Sequence, residues 1–202
     1  MAADLHTHRF KGGDFELVST GCCEQFKYSS LEFHPWNLPD HFDKLDDSFV
    51  LKAEKCSAIG EIGLDRLRGP DLVTQRKYFD VLLETADTLS KPVVIHSVRC
   101  DAELFQALSG FKQNVLIHGF NGGVSKLAKY LESGFFVSFS RLQNREVITF
   151  LQKNGLRNVG LETDDLDCNI ENIALDISFA LDIHVDEVDA NSTDTFKRFL
   201  TI

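Results

Sequence analysis

The chain has 202 residues, 43% of them hydrophobic and 26% charged, which is enough apolar material for one substantial domain spanning 1–202. A protein that binds long nucleic acid by its backbone usually carries a basic stripe, and a formal net charge of −10 advertises none. An anionic substrate would need local cations to offset the acidic whole, a role that bound metal ions fill.

No apolar run approaches the ~20 residues that span a bilayer. The first residues also lack the basic-then-apolar order of a secretory signal. A cytoplasmic protein is therefore expected, with no membrane and no protein partner implied. The five cysteines include the adjacent pair Cys22 and Cys23 and no C-x-x-C, so free thiols are expected over a disulfide framework or zinc knuckle.

In chain order the pattern predicts strands at 4–8, 15–19 and 31–34, the last stopped by Pro35, which cannot continue a ladder. A helix is predicted over 38–55, with Phe42, Leu45, Phe49 and Ala53 at three-to-four spacing. A strand at 57–64 precedes the clearest helix, 72–90, which puts Tyr78, Val81, Leu82, Thr85 and Leu89 on one face. Then come a strand at 92–96, a helix at 101–109, a strand at 115–118 and a helix at 125–132. A strand at 135–139, a helix at 146–154 and a strand at 158–164 follow, with helical stretches at 173–181 and 194–200.

This alternation argues for parallel strands joined by helical crossovers. About eight strands fit a closed (β/α)8-like TIM barrel better than an open sheet. The connections after the first two strands are too short for full crossover helices, so the barrel is expected to be distorted and shortened, lacking one or two early helices.

The chemistry collects at strand ends. His6 and His8 close the first predicted strand, His34 the third, Glu61 lies in the fourth, and His96, His118 and Asp164 close the fifth, sixth and last. Residues two apart in a strand share a face, so His6 and His8 can aim at one ion. In a β/α barrel the C-terminal strand ends open on the catalytic face. Four imidazoles and two carboxylates suit a pair of divalent ions (Mg, Mn or Zn), and ligand type alone does not choose among them. A lone strand-end histidine such as His118 is more often a hydrogen-bonded structural residue. Glu61 is harder to dismiss, because a buried carboxylate needs a cation or a donor. The glycine-rich turn 119–123 either offers backbone N–H groups to phosphate or simply needs glycine for its turn.

These residues also carry a resemblance. Asp4-Leu5-His6-Thr7-His8, Phe33-His34-Pro35-Trp36, Ala58-Ile59-Gly60-Glu61-Ile62-Gly63-Leu64-Asp65, Pro92-Val93-Val94-Ile95-His96-Ser97, Ile117-His118-Gly119-Phe120-Asn121-Gly122-Gly123 and Leu161-Glu162-Thr163-Asp164 occur in the order of the TatD-type metal-dependent hydrolases. The closing Ala190-Asn191-Ser192-Thr193-Asp194-Thr195-Phe196-Lys197-Arg198 resembles that family's C-terminal signature. Many members are described as deoxyribonucleases, within the amidohydrolase-like barrel superfamily.

The resemblance implies that His6, His8, Glu61 and Asp164 hold one metal, and that Glu61, as bridge, holds the second with His96 and His118. It implies that Asp164 also acts as general base, and that His34 faces the substrate. The segment 9–33 is shorter than the family's, Ser97 is followed by Val98 before Arg99, and Asp164 is followed by Asp165-Leu166-Asp167 in place of the family's proline-containing turn.

Three functions remain open on these residues. The first is a metal-dependent phosphodiesterase or deoxyribonuclease acting on short nucleic acid. The second is a hydrolase of a small phosphoester, amide or lactone, and the third a barrel that binds metal or a partner without turnover.

Overall fold

The computed structural model describes residues 1–21, 23–41 and 45–202. Eight strands, β1 (Asp4–Thr7), β2 (Glu16–Thr20), β3 (Tyr28–Leu31), β4 (Ala58–Asp65), β5 (Val93–Val98), β6 (Val115–Ile117), β7 (Phe136–Phe139) and β8 (Val159–Leu161), close into a parallel barrel in chain order. The helices are α1 (Asp47–Lys55), α2 (Leu72–Thr88), α3 (Asp101–Ala107), α4 (Val124–Glu132), α5 (Arg145–Asn154), α6 (Ile170–Leu181) and α7 (Val185–Leu200). Among the described residues no helix follows β1, and a single 3-10 turn, Cys23–Gln25, follows β2. Among the described residues these two connections thus carry no crossover α-helix, as their shortness predicts.

Two compact units divide the chain, residues 1–18 with 116–202, and residues 19–115. In the first, β1 pairs with the start of β2 and with β8, and β6, β7 and β8 form a continuous ladder. Leu5 is fully buried, and Gly160 makes room for it: a Cβ there would lie 2.7 Å from the Leu5 side chain. Helix α7 packs on β8 and β1. Its Phe196 and Phe199 are fully buried, each side chain contributing roughly 1.5–3 kcal/mol of burial. Asn191 and Thr195 of the same helix donate hydrogen bonds to the Val159 carbonyl, at 2.7 and 3.3 Å.

In the second unit β3, β4 and β5 form a ladder and α2 packs on β4. The face of α2 carrying Tyr78, Phe79, Leu82, Leu83 and Ala86 is buried, as its spacing predicts. Gln75 fixes the end of β4, accepting from the Asp65 N–H at 2.7 Å and donating to its carbonyl at 2.8 Å.

Several boundaries differ from the sequence reading. The third strand is Tyr28–Leu31, so His34 lies beyond it, at the N-cap of the 3-10 turn Pro35–Asn37. Of the helix predicted over 38–55, the described residues form Asp47–Lys55, where Asp46 caps the first turn by accepting from the Ser48 N–H; Phe42 lies outside the described residues. The last helix is longer than 194–200 and starts at Val185, after the cap residue His184. The expectation of free thiols is corrected at Cys23 and Cys56, which form a disulfide with Cα atoms 5.2 Å apart. Cys100 and Cys168 are free. Among the described residues no helix is long and apolar enough to cross a membrane.

Candidate metal centre

In the first unit, His6 lies in β1 and His8 just after it, His118 follows β6, and Asp164 lies beyond β8. A register shift lies between Asp4 and Thr7, the stretch that contains His6, and such an irregularity re-aims side chains. Asp164 has φ +50°, a left-handed conformation that aspartate tolerates better than most residues, and its backbone bridges to Thr7. Its Oδ1 sits 3.7 Å from His6 Nε2 and 3.6 Å from His8 Nε2. Those separations are too long for direct hydrogen bonds. They approach the roughly 3–3.5 Å between donors bound to one ion at about 2.1 Å. His118 stands with its ring centroid 4.4 Å from that of His6, and His6, His118 and Asp164 form one candidate metal-binding group. The donor set therefore fits a divalent cation.

Two further acids support this cluster. Asp4 is buried and accepts from the Thr163 N–H at 3.0 Å and the Thr163 hydroxyl at 2.6 Å. Burial pushes its carboxyl up to about 7, against these hydrogen bonds and the Lys11 charge. Lys11 Nζ in turn donates to Thr163 Oγ1 at 2.5 Å. Glu162 is fully buried and accepts from the Gly119 N–H at 2.7 Å and the Ser138 hydroxyl at 2.6 Å. Burial raises its carboxyl to about 7, with His118 opposing the shift. The Gly119 N–H thus serves Glu162, and Gly119 adopts φ +62° in the turn.

Glu162→Gln keeps an acceptor for Gly119 and removes a costly buried charge. It is expected to change stability by less than about 1 kcal/mol, whereas Glu162→Ala leaves the buried Ser138 hydroxyl and the part-buried Gly119 N–H without their acceptor and opens a cavity, at roughly 2–4 kcal/mol. Thermal denaturation of the two variants side by side checks this.

The second unit brings together His34, Glu61 and His96, another candidate group. A register shift lies between Ile59 and Ile62, the stretch that contains Glu61, again an irregularity suited to aiming a side chain. His34 Nδ1 accepts from the Trp36 N–H at 3.1 Å, so in the neutral ring the hydrogen sits on Nε2, which lies 3.0 Å from Glu61 Oε1. His34 is thereby a hydrogen-bond donor to Glu61, with the nitrogen nearest that carboxylate already carrying a proton.

His96 differs. Its Nδ1 lies 2.7 Å from Glu61 Oε1 and its Nε2 lies 3.0 Å from Asp65 Oδ2. A neutral imidazole has one N–H, so one contact would set a lone pair against a carboxylate unless a cation, proton or metal, lies between. With Asp65 taking the N–H, the Nδ1 lone pair is directed toward Glu61, the arrangement by which a carboxylate orients a metal-binding histidine. Asp65 also accepts from Trp36 Nε1 at 2.5 Å. Burial pushes its carboxyl up, but the hydrogen bonds from Trp36, His96 and the Leu67 N–H outweigh burial and hold it below its usual range. Arg68 covers the Trp36 ring, its guanidinium carbon 3.6 Å from the centroid.

Of the seven sequence-derived candidates, His6, His8, His118 and Asp164 belong to one unit and His34, Glu61 and His96 to the other. Asp4, Asp65 and Glu162 were not singled out from sequence. The available signal was spacing: Asp4 and His6, Glu61 and Asp65, and Glu162 and Asp164 are two or four residues apart, as same-face residues of a strand are.

Comparison with known proteins agrees with this chemistry. A TATDN1 homolog of Vairimorpha ceranae (strain BRL01) is 28% identical over 168 residues, covering 80% of this chain and 62% of the relative. The metal-dependent hydrolase YcfH of Escherichia coli (strain K12), itself uncharacterized, is 30% identical over 132 residues, covering 63% of this chain and 48% of the relative. The chain therefore spans less than two thirds of the length of either. Among solved structures, YJJV, a TatD homolog from Escherichia coli K12, shares the fold at a TM-score of 0.71 and 21% identity, covering 93% of this chain and 86% of that one. A family model described as TatD related DNase matches residues 15–201, and it is to this family that the chain belongs.

Proposed function

We propose that the chain is a divalent-metal-dependent hydrolase of phosphoester bonds, a deoxyribonuclease acting on short DNA, built as one barrel domain over 1–202 and working in the cytoplasm. The observation that carries the reading is the approach of Asp164 Oδ1 to both His6 Nε2 and His8 Nε2, at 3.7 and 3.6 Å. In this proposal His6, His8, Glu61 and Asp164 hold one ion, and Glu61, His96 and His118 the second; the bridging role of Glu61 rests on the sequence resemblance. Bound ions would supply positive charge to the scissile phosphate and acidify the attacking water.

The chain's own residues do the rest. Asp164 takes the proton of the attacking water, a role that needs a carboxylate within hydrogen-bond reach and partly open to solvent; its side chain is 37% exposed. His34 holds Glu61 through its Nε2–H, and Asp65 holds His96 in the tautomer that turns Nδ1 toward Glu61. A net charge of −10 favours short substrates, gripped through their phosphates, over long duplexes.

Elemental analysis of the purified protein, paired with hydrolysis of a short single-stranded DNA oligomer, tests the proposal. The expected result is about two divalent ions per chain and cleavage in Mg or Mn that chelation abolishes. Chelation should also lower the unfolding free energy, by about 2.7 kcal/mol for an ion present at 100 times its dissociation constant. Failure to bind metal after reconstitution would overturn the reading. Metal binding with cleavage of amides alone would replace the nuclease by another hydrolase.

A further inference from the structure

The first unit contains a cleft of about 460 Å³ that the metal-binding groups leave unexplained. Its walls come from the loops after β6 and β7, and it reaches Asp164. We propose that this cleft is a subsite for a nucleoside monophosphate unit of the substrate, the nucleotide next to the scissile bond, with Arg141 holding its phosphate. The inference deepens the phosphoesterase reading above and rests on it for the identity of the reacting bond.

Four features select this ligand class. The volume falls within the roughly 300–1,000 Å³ of small-molecule sites, and a bare phosphate or methyl ester would leave most of it to water. The floor is apolar, made by the buried Phe120, Phe139 and Val147, and suits the flat face of a base. The walls carry the amides Asn121 and Gln143, which offer both donors and acceptors, as base edges and sugar hydroxyls require. Asn144, the other amide, is already engaged, its side chain capping α5 by accepting from Glu146 N–H and Val147 N–H.

The last feature is charge. Arg141 is exposed at the cleft, and among the described residues no carboxylate pairs with it. Asp164 borders the same cleft, so an anion entering there meets repulsion unless a cation receives it. A guanidinium offers parallel N–H groups that match two phosphate oxygens, and one such group fits one phosphate. Apolar floor, amide walls and a single arginine beside Asp164 describe a nucleotide better than a lactone, an amide or a simple phosphoester.

The test is equilibrium binding of thymidine 5′-monophosphate, thymidine and inorganic phosphate to the metal-loaded protein by calorimetry, in wild type, Arg141→Ala and Gln143→Ala. It is paired with turnover of the p-nitrophenyl ester of thymidine 5′-monophosphate and of bis(p-nitrophenyl) phosphate, which has no nucleoside. The nucleotide should bind more tightly than either part alone, and Arg141→Ala should weaken it by roughly tenfold or more, as loss of a charge-assisted pair does. KM should rise correspondingly for both esters, since each carries the phosphate that Arg141 holds, whereas Gln143→Ala should raise it for the nucleoside ester alone. Gln143→Ala, at an exposed position, should weaken thymidine more than phosphate.

Nucleotide affinity within twofold of wild type in both variants would overturn the subsite, even if both esters are hydrolysed. Arg141-dependent nucleotide binding without hydrolysis of either ester would support the subsite and sink the hydrolase reading.

Discussion

Replacing Asp164 by asparagine is expected to lower kcat on a short single-stranded DNA by roughly 10²–10⁴, the usual contribution of a positioned general base. The substitution is conservative in shape, and asparagine accepts the left-handed backbone at φ +50° as readily as aspartate does. The side chain is 37% exposed, so the melting temperature should move by less than about 4 °C. What changes is the charge and basicity of the oxygen that faces His6 Nε2 and His8 Nε2. Metal content measured on the same preparation separates the two roles assigned to Asp164. Two ions with little turnover would mark it as the base, and loss of an ion would mark it chiefly as a ligand. Turnover within threefold of wild type, on every substrate the parent accepts, would remove Asp164 from the mechanism. Glu61→Gln belongs in the same series, because Glu61 is 2% exposed, accepts from His34 Nε2 and lies 2.7 Å from His96 Nδ1.

The barrel was legible because its strands announce themselves. Continuous apolar runs such as Val93-Val94-Ile95 and Val115-Leu116-Ile117 end in histidine, and the helical period between them is clear. The errors have local causes. Tyr28-Ser29-Ser30-Leu31 is a strand with two serines at its centre, both buried, and it reads more like a turn than Leu31-Glu32-Phe33-His34 does. The start of α1 was written in Asp46-Asp47-Ser48, a capping signal that the spacing of Phe42, Leu45 and Phe49 overrode. Helix α7 begins in Val185-Asp186-Glu187, where acidic residues suit the first turn but carry little apolar periodicity. The pairing of Cys23 with Cys56 could not be read from their spacing, since long-range contacts set it.

At the candidate site the sequence identified the residues with unmistakable donor chemistry and passed over those that hold them. Asp65 faces His96 Nε2, the Trp36 N–H sets the tautomer of His34, and Glu162 and Asp4 tie the Gly119 turn and Thr163 in place. These roles depend on which atom faces which, something composition and period do not encode. Spacing along a strand gives the face, and the register shifts at β1 and β4 then decide where that face points.

That dependence on backbone position makes Gly63 the most sensitive point of the second unit. It lies between Glu61 and Asp65 on β4, opposite His96 in the ladder, with φ +148°. A Cβ built there would fall 2.0 Å from the His96 carbonyl oxygen and 3.0 Å from its nitrogen. Both atoms are backbone, so no side-chain rotation relieves the clash, and the conformation itself disfavours an L side chain. Gly63→Ala is therefore expected to cost roughly 3–5 kcal/mol, the upper end for a single substitution. In denaturant titrations the midpoint should fall accordingly. Gly123→Ala is the control, since a Cβ at that position would meet no heavy atom within 4 Å and its φ of −88° suits alanine; its cost should stay below about 1 kcal/mol, as for a changed helix cap. If Gly63→Ala proved as mild as that control, β4 and β5 would have to separate more easily than their ladder implies. The placement of His96 between Glu61 and Asp65, on which its metal-facing tautomer depends, would then lose its structural basis.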